Sequence, residues 1–276
     1  MLFSFITGAT AFLAGFLWQR LDLAWTALPL LLIGVFLGLT LVAFVLLLIL
    51  CAVVDLKKPQ EHDSPFYRKV MTVCIEALVV LVRARIHTKG LEKLPKEGRF
   101  LMVCNHQHIA DPGVLLHVFR NSQMAFISKK ENNSLFIVNK LMHKTMCQLL
   151  DRENDREALK TILKCIQLIK DDEVSICVFP EGGIKEIGKL SHFRSGVFKI
   201  AQKANVPIVV CTLRNTADIL TNAARLKSTN VELHLVDVIS AESLKGRTAV
   251  DIGDQVYSMM LEDLGPEYAL ENTEST

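Results

Sequence analysis

The chain has 276 residues, 50% of them apolar, and a formal net charge of only +2 at pH 7. A balance this close to neutral gives no electrostatic footprint for nucleic acid. The apolar residues are concentrated at one end, so length alone does not fix the number of domains.

Residues 1–54 carry only Arg20 and Asp22 as charged side chains. From Ala24 to Val54 there is none, and a helix rising about 1.5 Å per residue over that length exceeds the roughly 30 Å hydrocarbon core of a bilayer. Leu2 to Trp18 is close to the lower limit for a span. It either crosses, lies in the interface, or forms the first arm of a hairpin that turns at Gln19-Arg20-Leu21-Asp22. We expect two apolar membrane helices in residues 1–54. A cleaved signal peptide fits less well, because the chain lacks a basic start and an obvious small-residue cleavage site before the long run. Lys57, Lys58, Arg68 and Lys69 follow that run, and basic flanks tend to stay on the cytoplasmic side, so the remainder of the chain is expected on the cytoplasmic face of a membrane.

From Asp55 onward the composition is that of a soluble protein. Residues 55–84 read as a juxtamembrane region whose apolar spacing between Phe66 and Arg85 suits a helix, either resting on the membrane surface or packed on the domain that follows. Residues 85–266 then alternate between short apolar runs and helix-period segments. Strands are predicted at Arg85–Thr88, Phe100–Cys104, Met124–Ser128, Val174–Phe179, Val206–Thr212 and Val231–Val236. Helices are predicted at Val114–Arg120, Ser134–Cys147, Arg156–Lys170, His192–Ala204 and Val250–Leu264. This alternation predicts an α/β fold, a mostly parallel sheet flanked by helices. Residues 267–276 form a polar tail. The seven cysteines are scattered without the paired spacing of a zinc or redox site and read as reduced, buried small hydrophobes.

The strand Phe100–Cys104 runs directly into Asn105-His106-Gln107-His108-Ile109-Ala110-Asp111-Pro112-Gly113. A group at the carboxyl end of a parallel strand sits where open α/β sheets form their ligand crevices. Asp111 followed by Pro112 suits a helix start, with Asp as the N-cap. His106 then lies in the turn before that helix, within reach of the Asp111 carboxylate, which would fix its tautomer and stabilise the imidazolium formed on proton abstraction. A capping Asp beside a surface His explains the same residues. A second cluster, Phe179-Pro180-Glu181-Gly182-Gly183, ends the strand from Val174, where glycine allows close backbone approach to a ligand and a carboxylate suits orienting a hydroxyl. A plain turn is its alternative.

Together the two clusters resemble the glycerolipid acyltransferase family. The family's Asn-His-four residues-Asp motif is matched by Asn105, His106 and Asp111, and its Phe-Pro-Glu-Gly motif by Phe179, Pro180, Glu181 and Gly182. Leu150-Asp151-Arg152 resembles the family's second motif, and Val206-Pro207-Ile208-Val209-Val210 its fourth. Phe193-Arg194-Ser195-Gly196 stands where members often carry an aromatic and a basic residue before a helix. The likeness covers about residues 85–215. The family usually continues its Phe-Pro-Glu-Gly motif with Thr or Ser and Arg; this chain has Gly183, Ile184 and Lys185, and a lysine is only a point charge where a guanidinium binds phosphate through two nitrogens.

The resemblance implies direct acyl transfer from acyl-CoA or acyl-carrier protein to the hydroxyl of 1-acylglycerol-3-phosphate, making phosphatidate for phospholipid synthesis. His106 and Asp111 would be catalytic; Arg152, Glu181, Gly182 and Lys185 would bind substrate. No cofactor and no metal are implied, and the partners are a membrane lipid acceptor and the thioester donor. Backbone N–H groups near Gly182 or at the helix start after Asp111 would serve as oxyanion donors. Other readings are a different lyso-lipid acceptor, a catalytically silent lipid-binding module, or a hydrolase. Cys104 as a nucleophile and His106 with His108 as metal ligands are decoys: nothing suggests an activated thiolate, and further ligands are missing.

Overall fold

The computed structural model describes residues 2–129, 134–151 and 154–270. Two long helices come first, α1 (Leu2–Arg20) and α2 (Leu28–Ala52), folded back on each other. Trp18 and Trp25 meet at the turn with ring centroids 4.2 Å apart. Both helices are long and apolar enough to cross a membrane, and their large apolar side chains are mostly exposed.

The remainder is α/β, as the alternation predicts. A seven-stranded sheet is formed by β1 (Ala84–Lys89), β2 (Leu101–Cys104), β3 (Met124–Lys129), β4 (Gln148–Leu150), β5 (Ser175–Val178), β6 (Ile208–Arg214) and β7 (Thr229–Ile239). Its order is β1-β7-β6-β2-β5-β3-β4. The run from β6 to β4 is parallel throughout. Among the described residues only the β6–β7 pairing is antiparallel, and β1 lies parallel to β7. Central β2 is buried at every position, because a strand covered on both faces needs apolar side chains on both.

Pleating sorts those side chains into two cores. Leu101, Val103, Ile176 and Val178 face one way, toward α6 (Asp155–Lys170), α7 (Lys199–Ala204) and α9 (Ala249–Leu264). Met102, Cys104 and Cys177 face the other, toward α4 (Asp111–Val118). Helix starts are fixed locally: Asn154 Oδ1 accepts from the N–H groups of Arg156 and Glu157, and Thr248 and Asp251 form a reciprocal capping box on α9.

Two expectations are corrected. The predicted helix at 134–147 is shorter, α5 (Phe136–Lys144), and is followed by β4, whose three residues are too few for a periodic signal. The predicted helix at 192–204 begins as a 3-10 turn at Ser195–Phe198, because the Arg194 N–H is spent on Pro180 O and holds the preceding backbone extended. A further helix, α8 (Ile219–Ala224), follows β6. Of the two alternatives for Phe66 to Arg85, the structure shows a helix, α3 (Pro65–Leu81), packed on the domain through buried Arg68. Its guanidinium pairs with Asp63 at 2.6 and 2.7 Å and donates to Met124 O at 2.9 Å. Residues 271–276 of the expected polar tail lie outside the described residues.

The helical pair meets the domain at a small cluster of Cys51, Met71 and Leu141, from α2, α3 and α5. The linker after α2 then runs alongside α5: Lys140 Nζ donates to Val54 O, His143 Nε2 contacts Lys58 O at 3.1 Å, and Lys144 Nζ donates to Gln60 Oε1 at 2.8 Å.

Candidate active site

β2 and β5 are neighbours in the sheet, so the chain segments leaving their carboxyl ends, Asn105–Asp111 and Phe179–Gly183, are brought side by side. The first of these turns is anchored by Asn105. Its amide imitates a strand residue, accepting from Leu213 N at 2.7 Å and donating to Leu213 O at 3.0 Å, which ties the end of β2 to β6.

The His106 ring turns back on the turn it belongs to. Nδ1 lies 2.8 Å from Asp111 Oδ2. The same oxygen accepts the backbone N–H groups of Gln107 at 2.6 Å and His108 at 2.8 Å. Three donors on one buried carboxylate oxygen hold the turn and the imidazole together, and an acceptor at Nδ1 places the ring proton there. Nε2 is not used in that bond, and the side chain is 19% exposed. Phe179 stacks on the ring at 4.2 Å between centroids and 18° between planes.

Asp111 was expected to cap α4. It is instead the first residue of the helix, with Ala110 in the cap position and no side-chain cap. The three donors behind it outcompete the helix start for its carboxylate, and the negative charge still sits favourably at a helix N-terminus.

Glu181, expected to meet a substrate hydroxyl, faces inward. It is 3% exposed. Oε1 accepts the His106 N–H at 2.7 Å and Oε2 accepts the Ser191 N–H at 2.8 Å. Burial pushes its carboxyl above the usual glutamate range, opposed by the bonds from Ser191 and His106. The segment carrying Ser191 is itself held from behind, by Leu190 N donating to Tyr268 O at 2.7 Å and Tyr257 donating to Leu190 O at 3.2 Å. Ser191 and Leu213 escaped the sequence reading, since a backbone donor or acceptor leaves no signature in residue type; Phe179 stands in the motif, but its stacking on His106 is set by the fold.

Gly182 is required by shape. Its φ is +76°, and a Cβ there would stand 2.9 Å from Arg194 Nε. The Gly182 N–H donates to Phe179 O at 3.0 Å. Lys185 is exposed in the loop that follows, and Arg194 is exposed with its side chain over Gly182. Arg152 lies outside the described residues.

Cys104 is fully buried on the α4 side of the sheet, and its thiol is pushed well above the ordinary range by desolvation, the opposite of an activated nucleophile. Among the described residues no cluster of His, Cys, Asp and Glu is arranged to hold a metal ion.

A model of the acyltransferase family matches residues 85–214, the stretch that contains both turns. A probable 1-acyl-sn-glycerol-3-phosphate acyltransferase of Mycoplasma pneumoniae is 29% identical over 70% of this chain and 74% of its own length. The 1-acyl-sn-glycerol-3-phosphate acyltransferase of Borreliella burgdorferi is 26% identical over 68% of this chain and 76% of its own. A chloroplastic relative of the same description from Arabidopsis thaliana is 31% identical, but only 38% of its length is covered. Among solved structures, the 1-acyl-sn-glycerophosphate acyltransferase PlsC of Thermotoga maritima shares the fold, with a TM-score of 0.60 at 22% identity over 71% of this chain and 78% of its own.

Proposed function

This chain belongs to the glycerolipid acyltransferase family and is an acyltransferase, and from that premise we propose that it moves a fatty acyl group from acyl-CoA or acyl-carrier protein to the free hydroxyl of 1-acylglycerol-3-phosphate, giving phosphatidate. The observation that carries this is the 2.8 Å contact between His106 Nδ1 and Asp111 Oδ2 at the carboxyl edge of the sheet. It leaves Nε2 as the base on a partly exposed ring, the requirement for activating an alcohol.

In this mechanism the acceptor hydroxyl gives its proton to His106 Nε2 as its oxygen bonds the thioester carbonyl carbon. Asp111 stabilises the imidazolium. The tetrahedral oxyanion then collapses, the carbon–sulfur bond breaks, and the departing thiolate takes the proton from Nε2, returning the imidazole to its starting state. Glu181 is a positioning residue, strapping the backbone of His106 to the second turn. Lys185 and Arg194, with Arg152, are the cations offered to the acceptor phosphate.

The two apolar helices act as a membrane anchor for residues 1–54, with residues 85–266 as the catalytic domain on the cytoplasmic side, where the basic linker residues belong. The acceptor is an amphiphile that stays in the bilayer, so an anchored enzyme meets it without extracting it.

The test is transfer of a labelled acyl group from the thioester to a panel of lyso-lipids in membranes carrying the wild-type chain or His106→Ala. Transfer to 1-acylglycerol-3-phosphate that disappears in the variant supports the reading. Transfer only to another lyso-lipid keeps the chemistry and replaces the acceptor.

A further inference from the structure

Two turns that take no part in the chemistry share an edge of the sheet with the site. β7 runs opposite to β6 and begins with Thr229, beyond Arg214 at the end of β6, and β1 begins beside it, Ala84 against Thr229. The turn from α3 into β1 and the turn from α8 into β7 therefore both lie at the carboxyl edge of the parallel strands, where β2 delivers His106. The two turns are joined to each other: Arg83 Nη1 donates to Leu226 O, and Thr229 N donates to Arg83 O at 3.3 Å. Arg83 and Leu226 both hold positive φ, 54° and 55°.

What these turns present is unusual for a soluble surface. Leu81 is 74% exposed and Leu226 77% exposed. They are flanked by exposed Arg83, Arg225 and Lys227. Residues 77–90 and 219–230 contain no acidic side chain. Exposed leucines ringed by uncompensated positive charge fit an anionic lipid surface, with the apolar tips among the acyl chains and the cations at the headgroups.

The exit of the helical pair lies on the same edge. α5 starts after the carboxyl end of β3 and ends at Lys144, next to Thr145, whose carbonyl shares the Arg68 guanidinium with Met124 at the amino end of β3. The linker descends along α5, from Val54 at Lys140 to Gln60 at Lys144. α2, which precedes Val54, accordingly leaves toward the carboxyl edge. Ile109 and Ile187, beside the two catalytic turns, are also exposed.

We infer that the joined turns at Leu81–Arg83 and Arg225–Lys227 are a second membrane contact, resting on anionic headgroups and setting the depth at which the His106 opening meets the bilayer. This rests on the reading of α1 and α2 as a membrane anchor in the proposed function.

The full chain is reconstituted in liposomes of phosphatidylcholine with phosphatidylglycerol, and the emission of Leu226→Trp is recorded with the native signal of Trp18 and Trp25 subtracted. A blue-shifted indole quenched by lipids brominated near the headgroup supports the contact. A water-exposed indole untouched by those lipids overturns it. The double variant Arg225→Glu with Lys227→Glu is expected to lose that quenching. It should transfer about ten-fold more slowly to a long-chain acceptor in the same liposomes, with a short-chain, water-soluble acceptor unaffected; equal rates on both acceptors contradict the contact. The fluorescence needs no activity: quenching without any transfer removes the proposed function and leaves the contact, and transfer without quenching does the reverse.

Discussion

The backbone N–H of His106 is held by the Glu181 carboxylate at 2.7 Å across 75 residues of chain. The imidazole is therefore fixed twice, through its ring by Asp111 and through its own main chain by a residue of the second turn. Each bond can be removed separately, and the consequences differ.

His106→Ala should abolish the base and little else. Its ring is partly exposed and stacked on Phe179, so melting should shift by no more than a few degrees. Transfer should fall by about 10²- to 10⁴-fold. Thermal denaturation and initial rates on the same membranes separate the two effects.

Asp111→Ala strips one buried oxygen from three donors, the His106 ring and the N–H groups of Gln107 and His108. A cost of about 3–5 kcal/mol is expected, the range for breaking a buried charged arrangement. Asp111→Asn keeps the shape and still lowers the rate, because a neutral amide does not stabilise the imidazolium. A variant that is stable and fully active would contradict the geometry.

Glu181 titrates in a stated direction. Its folded carboxyl is raised above the ordinary value of about 4.3, so the folded chain binds that proton more tightly than the unfolded chain. Its contribution to stability is full below the ordinary value and is lost as pH rises through the raised one. Glu181→Gln leaves one backbone N–H facing an amide N–H, at a cost of about 1–3 kcal/mol. The stability gap between wild type and Glu181→Gln should therefore be widest in acid and narrow as pH rises, measured by denaturant unfolding across that window. A gap that widens with pH would reverse the assignment.

Cys104→Ala should retain transfer, and a thiol-modifying reagent should leave the folded enzyme active at this position. The thiol is fully buried and its ionisation strongly disfavoured. Detection of an acyl group on Cys104 by mass spectrometry would replace direct transfer with a two-step route.

Gly182→Ala tests the second turn by shape alone. The added Cβ meets Arg194 Nε at 2.9 Å in a backbone region costing about 1–2 kcal/mol for an L side chain. A fall in transfer accompanied by a small loss of stability is expected, read by rate and melting together.

These residues also show why some of the site was legible and some was not. His106 and Asp111 are five residues apart, and a turn between a strand and a Pro-started helix limits where their side chains go. The inward role of Glu181 depends on β2 pairing with β5, a long-range choice that alternating apolar runs do not specify. Arg68 read as a basic membrane flank because charge next to an apolar run usually is one; its buried bonds to Asp63 and Met124 O come from tertiary packing. β4 has three residues, too short to show a period. Asp111 looked like a cap because residue type marks capping ability, while the three donors competing for it are backbone and ring nitrogens fixed only by the folded turn.

The most direct measurement is transfer of a labelled acyl group from acyl-CoA or acyl-carrier protein to 1-acylglycerol-3-phosphate, with wild type and His106→Ala compared in the same membranes at matched protein level. Labelled phosphatidate from the wild type, reduced at least about a hundred-fold by the substitution, is the predicted result. Undiminished phosphatidate from folded His106→Ala would contradict the assignment of this imidazole as the base.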